Sequence, residues 1–181
     1  MDYIYAPWRS AYFGSKSQEC IFCAISKGEI LQKDSKDSTA ESLESRDLKN
    51  HIFYRDEKIF CVMNKYPYTP GHFLIIPHFH THSPEFLELS VWLRLQTCAK
   101  SGVALLKEFG AKGVNLGMNI EKAGGAGIPE HLHLHLVPRY FGDTNFFTTI
   151  GDTRAYGVDF DDIFLKIKEL SKKHFKNLAT H

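Results

Sequence analysis

Three histidines stand at alternate positions in His131-Leu132-His133-Leu134-His135-Leu136-Val137. In an extended strand, successive side chains point to opposite faces. The spacing therefore predicts three imidazoles on one side and Leu132, Leu134 and Leu136 on the other. Imidazoles gathered in this way can bind a metal, bind an anion, or let one ring act as a nucleophile while the others fix its tautomer. A second group, Cys20-Ile21-Phe22-Cys23, sets two thiols at a spacing that zinc sites favour. The same pair can also be two buried thiols or a redox couple. A third feature is the turn Ala123-Gly124-Gly125-Ala126-Gly127, just ahead of the first of the three histidines. Glycines let backbone N–H groups approach phosphate oxygens closely, and they also serve ordinary tight turns.

The rest of the chain must hold these groups in place. Its 181 residues are 43% hydrophobic and 24% charged, which suits one ordinary core, with or without a tail. Lys and Arg number 22 against 21 Asp and Glu, a net charge of +1, so no global field would hold the chain on nucleic acid or an anionic membrane. No apolar run approaches the ~20 residues needed to span a bilayer. The opening Met1–Arg9 lacks a basic segment followed by an apolar one, which predicts a cytoplasmic protein. In that compartment the Cys20/Cys23 pair reads as metal or redox chemistry before it reads as a disulfide.

Residues 1–19 are rich in aromatics and predict an arm lying against the body or a partner subunit. Residues 20–31 read as a turn and about one turn of helix. Residues 32–50 are almost entirely polar and predict a mobile surface insertion. Strands are expected at His51–Arg55, Lys58–Asn64, Phe73–Ile76 (stopped by Pro77), Val114–Asn119 and His131–Val137 (closed by Pro138). One long helix is expected over 84–109, with Ser83 as its N-cap, and a C-terminal helix over 158–176. The pattern predicts an α+β fold with an antiparallel sheet of about five strands, in a single domain over 1–181.

The three-histidine run, alternating with apolar residues, resembles the signature of the histidine triad family. Tyr68–Pro77, with its Pro70-Gly71-His72, resembles that family's Pro-Gly-His strand. Asn115–Gly125 and Pro138-Arg139 are similar too. Ala6-Pro7-Trp8-Arg9 and Gly142–Phe146 look most like a branch related to diadenosine tetraphosphate phosphorylases and hydrolases. The resemblance implies cleavage of a nucleotide substrate at its α-phosphate. His133 would form a covalent nucleotidyl-histidine, His135 would orient it or contact the phosphate, and His131 would complete the triad. Asn64 and Asn119 would contact ribose or phosphate, and Gly124, Gly125 and Gly127 would cradle phosphate. Many relatives carry Gln or Ser where this chain has Gly127.

The resemblance also implies a structural zinc ion held by Cys20, Cys23, His80 and His131. His78 and His82 flank His80, which is assigned by resemblance alone. His72 reads as a strand hydrogen-bonding residue, and Cys61 and Cys98 as core. A two-fold homodimer is expected of the family, with the 3–13 arm and the 84–109 helix suited to the contact. Hydrolysis of AMP conjugates such as phosphoramidates, nucleotide binding without turnover, and dithiol redox chemistry are the other readings.

Overall fold

The computed structural model describes residues 20–29, 42–153, 156–176 and 178. The aromatic arm at 1–19 and residues 32–41 of the polar stretch lie outside them. Five strands form one sheet: β1 (Ile52–Arg55), β2 (Ile59–Met63), β3 (Phe73–Pro77), β4 (Gly113–Met118) and β5 (Leu134–Arg139). Their spatial order is β1-β2-β3-β5-β4, and every neighbouring pair is antiparallel. This is the expected α+β architecture.

β2 and β3 are apolar at every position because both faces of the sheet are covered. On one face Ile59, Cys61, Phe73, Ile75, Leu134 and Leu136 pack beneath α3 (Leu89–Phe109) and α5 (Phe160–His174). On the other, Phe60, Val62, Leu74 and Ile76 meet Phe22 and Ile25 of α1 (Ile21–Ser26). Gly102 of α3 sits over β3 and β5. A Cβ there would lie 2.6 Å from Leu136 and 2.9 Å from the Phe73 ring, so only glycine lets the helix approach this closely.

The polar stretch is not all loop. Leu43–Lys49 forms α2, capped by Ser42, whose hydroxyl accepts from the Ser45 amide. Asp47 is buried because it accepts from Arg55 Nε at 2.7 Å, and the Arg55 guanidinium also donates to the carbonyls of Ser26 and Ile25. The insertion thus supplies the counter-charge for an arginine that holds the C-terminal end of α1.

The long helix begins later than expected. Pro84–Phe86 is a single 3-10 turn ended by extended Leu87, and α3 starts after Glu88, whose carbonyl accepts from Trp92. Ser83 therefore does not cap it. β5 also differs at both ends. It starts at Leu134, because the Leu132 amide donates to the Thr81 carbonyl instead of joining a ladder. It continues past Pro138 because β3 begins at Phe73, opposite Leu136, and needs no donor there. β3 likewise includes Pro77, and β4 ends at Met118, one residue before Asn119. A short helix not expected from the sequence, α4 (Phe146–Ile150), is closed by a capping box between Asn145 and Thr148. Among the described residues, no helix is long and apolar enough to cross a membrane.

Candidate active site

The alternation of residues 131–136 survives the later start of the strand. Leu132, Leu134 and Leu136 are buried, the last two in the α3/α5 core. His135 pairs with Leu74 on β3 and Gly117 on β4, which places it on the α1 face. The rings of His133 and His135 are 4.9 Å apart, and His133 also lies 5.2 Å from the ring of Phe22. Nothing would lie within 4 Å of a Cβ on Gly117, so the space beside His135 is open on the β4 side.

Hydrogen bonds to backbone groups assign the protons. His133 Nδ1 lies 2.8 Å from the His131 carbonyl, so Nδ1 carries the proton and Nε2 the lone pair. Burial lowers the His133 pKa, and its side chain is neutral at pH 7. In the turn before β3, the Tyr68 amide donates to His72 Nδ1 at 3.1 Å, so His72 is protonated at Nε2. His72 Nε2 in turn lies 3.0 Å from His135 Nδ1, which leaves the His135 proton on Nε2. Asn64, buried at the end of β2, is within 3.3 Å of His72 Nδ1 and accepts from the Tyr66 amide.

His72 is thus a fourth histidine of the site, although in sequence it reads only as a strand hydrogen-bonding residue. The signal for it lies in register: only the β3–β5 pairing brings positions 72 and 135 together. Burial, with His135 and His133 nearby, pushes its pKa down to about 3.

The glycine turn has a structural explanation at Gly124. A Cβ on Gly124 would meet the Ile120 carbonyl oxygen at 2.3 Å, and the amides of Gly125 and Ala126 already donate to Lys122 and Glu121. Gly127 is exposed with open space around it. Asn119, half-buried, leads from β4 into this turn. Ile128 beyond it packs against the Phe22 cluster on the histidine face.

Cys20, Cys23, His80 and His131 each offer a ligand atom, and these atoms all lie within 4.8 Å of one another. His131 Nδ1 is 3.3 Å from Cys20 Sγ and 3.6 Å from Cys23 Sγ, and His80 Nδ1 is 3.2 Å from Cys23 Sγ. Tetrahedral zinc with its usual N and S bond lengths separates ligand atoms by about 3.6 Å. His131 Nε2 donates to the Pro77 carbonyl at 2.9 Å, which turns the Nδ1 lone pair toward the sulfurs, as outer partners of metal-bound histidines do. The competing histidines are engaged elsewhere. His78 bonds Ser26 Oγ and the Asp56 carbonyl, and His82 faces Glu121 at 3.5 Å.

The HIT domain model matches residues 45–142. An AP-4-A phosphorylase of Mycobacterium tuberculosis is 32% identical over 58% of this chain and 54% of its own length, so the chain spans about half of that relative. An uncharacterized HIT-like protein of Saccharolobus solfataricus is 32% identical over 68% of this chain and 76% of its own. The crystal structure of a Zn-bound histidine triad family protein from Mycobacterium smegmatis superimposes with a TM-score of 0.63 and 24% identity, covering 88% of this chain and 98% of that one. With the domain match extending over more than half of its length, the chain belongs to the HIT family.

Proposed function

We propose that the chain is a nucleotidyl hydrolase or transferase that cleaves dinucleoside polyphosphates of the diadenosine tetraphosphate type at the α-phosphate. The observation that carries this reading is the tautomer of His133. A neutral imidazole whose Nδ1–H is held by the His131 carbonyl presents its Nε2 lone pair as a nucleophile. Nε2 forms a bond to the α-phosphorus as the bond from phosphorus to the leaving phosphate oxygen breaks. The leaving oxygen keeps the electron pair, and His135, protonated on Nε2, donates to a phosphate oxygen. Water or inorganic phosphate then attacks the nucleotidyl-histidine and restores the ring. Asn64, Asn119 and the 124–127 turn are the proposed ribose and phosphate contacts.

The identity of the leaving group is supported by Gly127. An amine leaving from an AMP conjugate must be protonated, whereas a phosphate, with its second pKa near ~6, leaves as an anion at neutral pH. A chain with no side chain at 127 suits the second case. The adenylylsulfatase HINT3 of Arabidopsis thaliana, 32% identical over 67% of this chain, keeps hydrolysis of AMP conjugates as the alternative.

The test is product analysis on diadenosine tetraphosphate, with and without inorganic phosphate. ATP plus AMP identifies hydrolysis, and ADP plus ATP identifies phosphorolysis. His133→Ala should lose at least about 10³-fold in turnover while its circular dichroism stays unchanged. Unaltered turnover in that variant would end the proposal.

Zinc belongs to this reading as a structural ion. The Cys2His2 set fits it, would fill all four positions and would tie α1 to the loop before β5. A homodimer is part of it too. β4 is an edge strand carrying half-exposed Leu116, and α3 exposes Leu89 and Leu93, which supports a two-fold contact through this side. A cytoplasmic location completes the reading and suits four free thiols.

A further inference from the structure

Beyond His135 the α1 face of β5 continues with Val137 and Arg139, since alternate residues share a face. These two residues, with Asn115 opposite Val137, floor an open cleft of about 1170 Å³. The Tyr66–Tyr68 loop walls it on one side, and residues from Tyr140 to Thr153, with Tyr156 and Phe160, on the other. None of the triad histidines lines this cleft, but Tyr68, which does, faces one of them. The Tyr68 ring lies nearly parallel to that of His135, with centroids 6.1 Å apart and 11° between planes.

Two features define what would fit. The first is exposed aromatic surface: Phe147 is 57% exposed and Tyr156 37%, and both face the cleft. Aromatic rings left open beside a polar site mark a place where a flat apolar group docks. The second is a fixed guanidinium. Arg139 donates to Asp143 through Nε at 2.6 Å and Nη2 at 3.0 Å, and to Asn115 Oδ1 through Nη1 at 2.9 Å. Held in its own plane, it keeps a flat face for stacking on a ring. Lys65, exposed and lining the cleft, adds positive charge to it. Arg139 lies roughly 13 Å along the strand from His135, so a ligand filling both places must be long, anionic near the histidines and aromatic at its far end.

We propose that this cleft receives the second purine nucleoside of the substrate, at the far end of the polyphosphate whose α-phosphorus meets His133. This rests on the polyphosphate reading above. Phe147 and Tyr156 then set the preference for dinucleotides over single nucleotides, although they contribute nothing to the chemical step.

The experiment compares equilibrium binding of a methylene-bridged diadenosine tetraphosphate with that of adenosine tetraphosphate, which has the same number of phosphates without the second nucleoside. The dinucleotide should bind at least about tenfold more tightly, the effect of one base stacked on aromatic rings. In Phe147→Ala/Tyr156→Ala the ratio should fall to near one. A ratio near one in the unaltered chain, or an unchanged ratio in the double variant, overturns the cleft assignment. If the unaltered chain binds with the expected ratio but turns over no diadenosine tetraphosphate, the catalytic reading fails and the cleft assignment stands. Binding of neither ligand overturns both.

Discussion

His72 Nε2 lies 3.0 Å from His135 Nδ1, and this contact joins the residue just before β3 to the second residue of β5 inside the histidine site. It is the last step of a relay that begins at the Tyr68 amide and sets the tautomer of each ring in turn. His135 is therefore oriented by a residue far from it in sequence.

Replacing His72 by Gln should leave the fold intact and lower kcat more than it raises KM. Misplacing a contact to the reacting group by about 1 Å can lower the rate about 100-fold. Steady-state kinetics on diadenosine tetraphosphate would check this. A variant with normal kcat would mean that His135 holds its orientation without the relay.

The same residue makes stability depend on pH. Burial holds its folded pKa at about 3, below the ordinary value near ~6.5. Between those values the unfolded chain binds a proton that the folded chain does not. Its contribution is thus complete above pH ~6.5 and declines as pH falls, by at most about 1.4 kcal/mol per pH unit. Urea midpoints measured from pH 7 down to pH 4.5 should fall, and His72→Asn should flatten that slope. Equal slopes in the two proteins would count against His72 as the titrating group.

Protein purified without chelator should carry about one zinc ion per chain, and Cys23→Ser should carry less. The Cys2His2 set joins α1 to residues 80 and 131, so removing the ion should lower Tm markedly, since structural zinc contributes folding energy directly. Metal analysis combined with calorimetry reads both. Stable, metal-free protein with the same Tm would exclude a structural ion and restore the dithiol reading of Cys20 and Cys23.

Gly102→Ala should destabilise the protein by about 1–3 kcal/mol although alanine is the better helix former. The added carbon would sit 2.6 Å from Leu136 and 2.9 Å from Phe73. Denaturant unfolding measures the change. A neutral or stabilising result would mean that α3 can lift from the sheet without loss.

The strands, the C-terminal helix and the alternation of the three histidines were legible in the chain because each is a local periodicity: two for strands, 3.6 for helices. The Cys20/Cys23 pair was legible for the same reason, as a spacing within one turn. What sequence left open was decided by contacts between distant segments. Asp47 reads as one polar residue among many until Arg55 needs a buried counter-charge, and that pairing makes part of the apparent insertion a helix holding α1. His78, His80 and His82 are equivalent as letters; packing turns His78 to Ser26, His82 toward Glu121 and His80 to Cys23. His72 joins the site only through the antiparallel register of β3 with β5. Local pattern fixes which face a side chain takes, but which faces meet depends on burying the sheet between α1 and the α3/α5 layer, and that is a property of the whole fold.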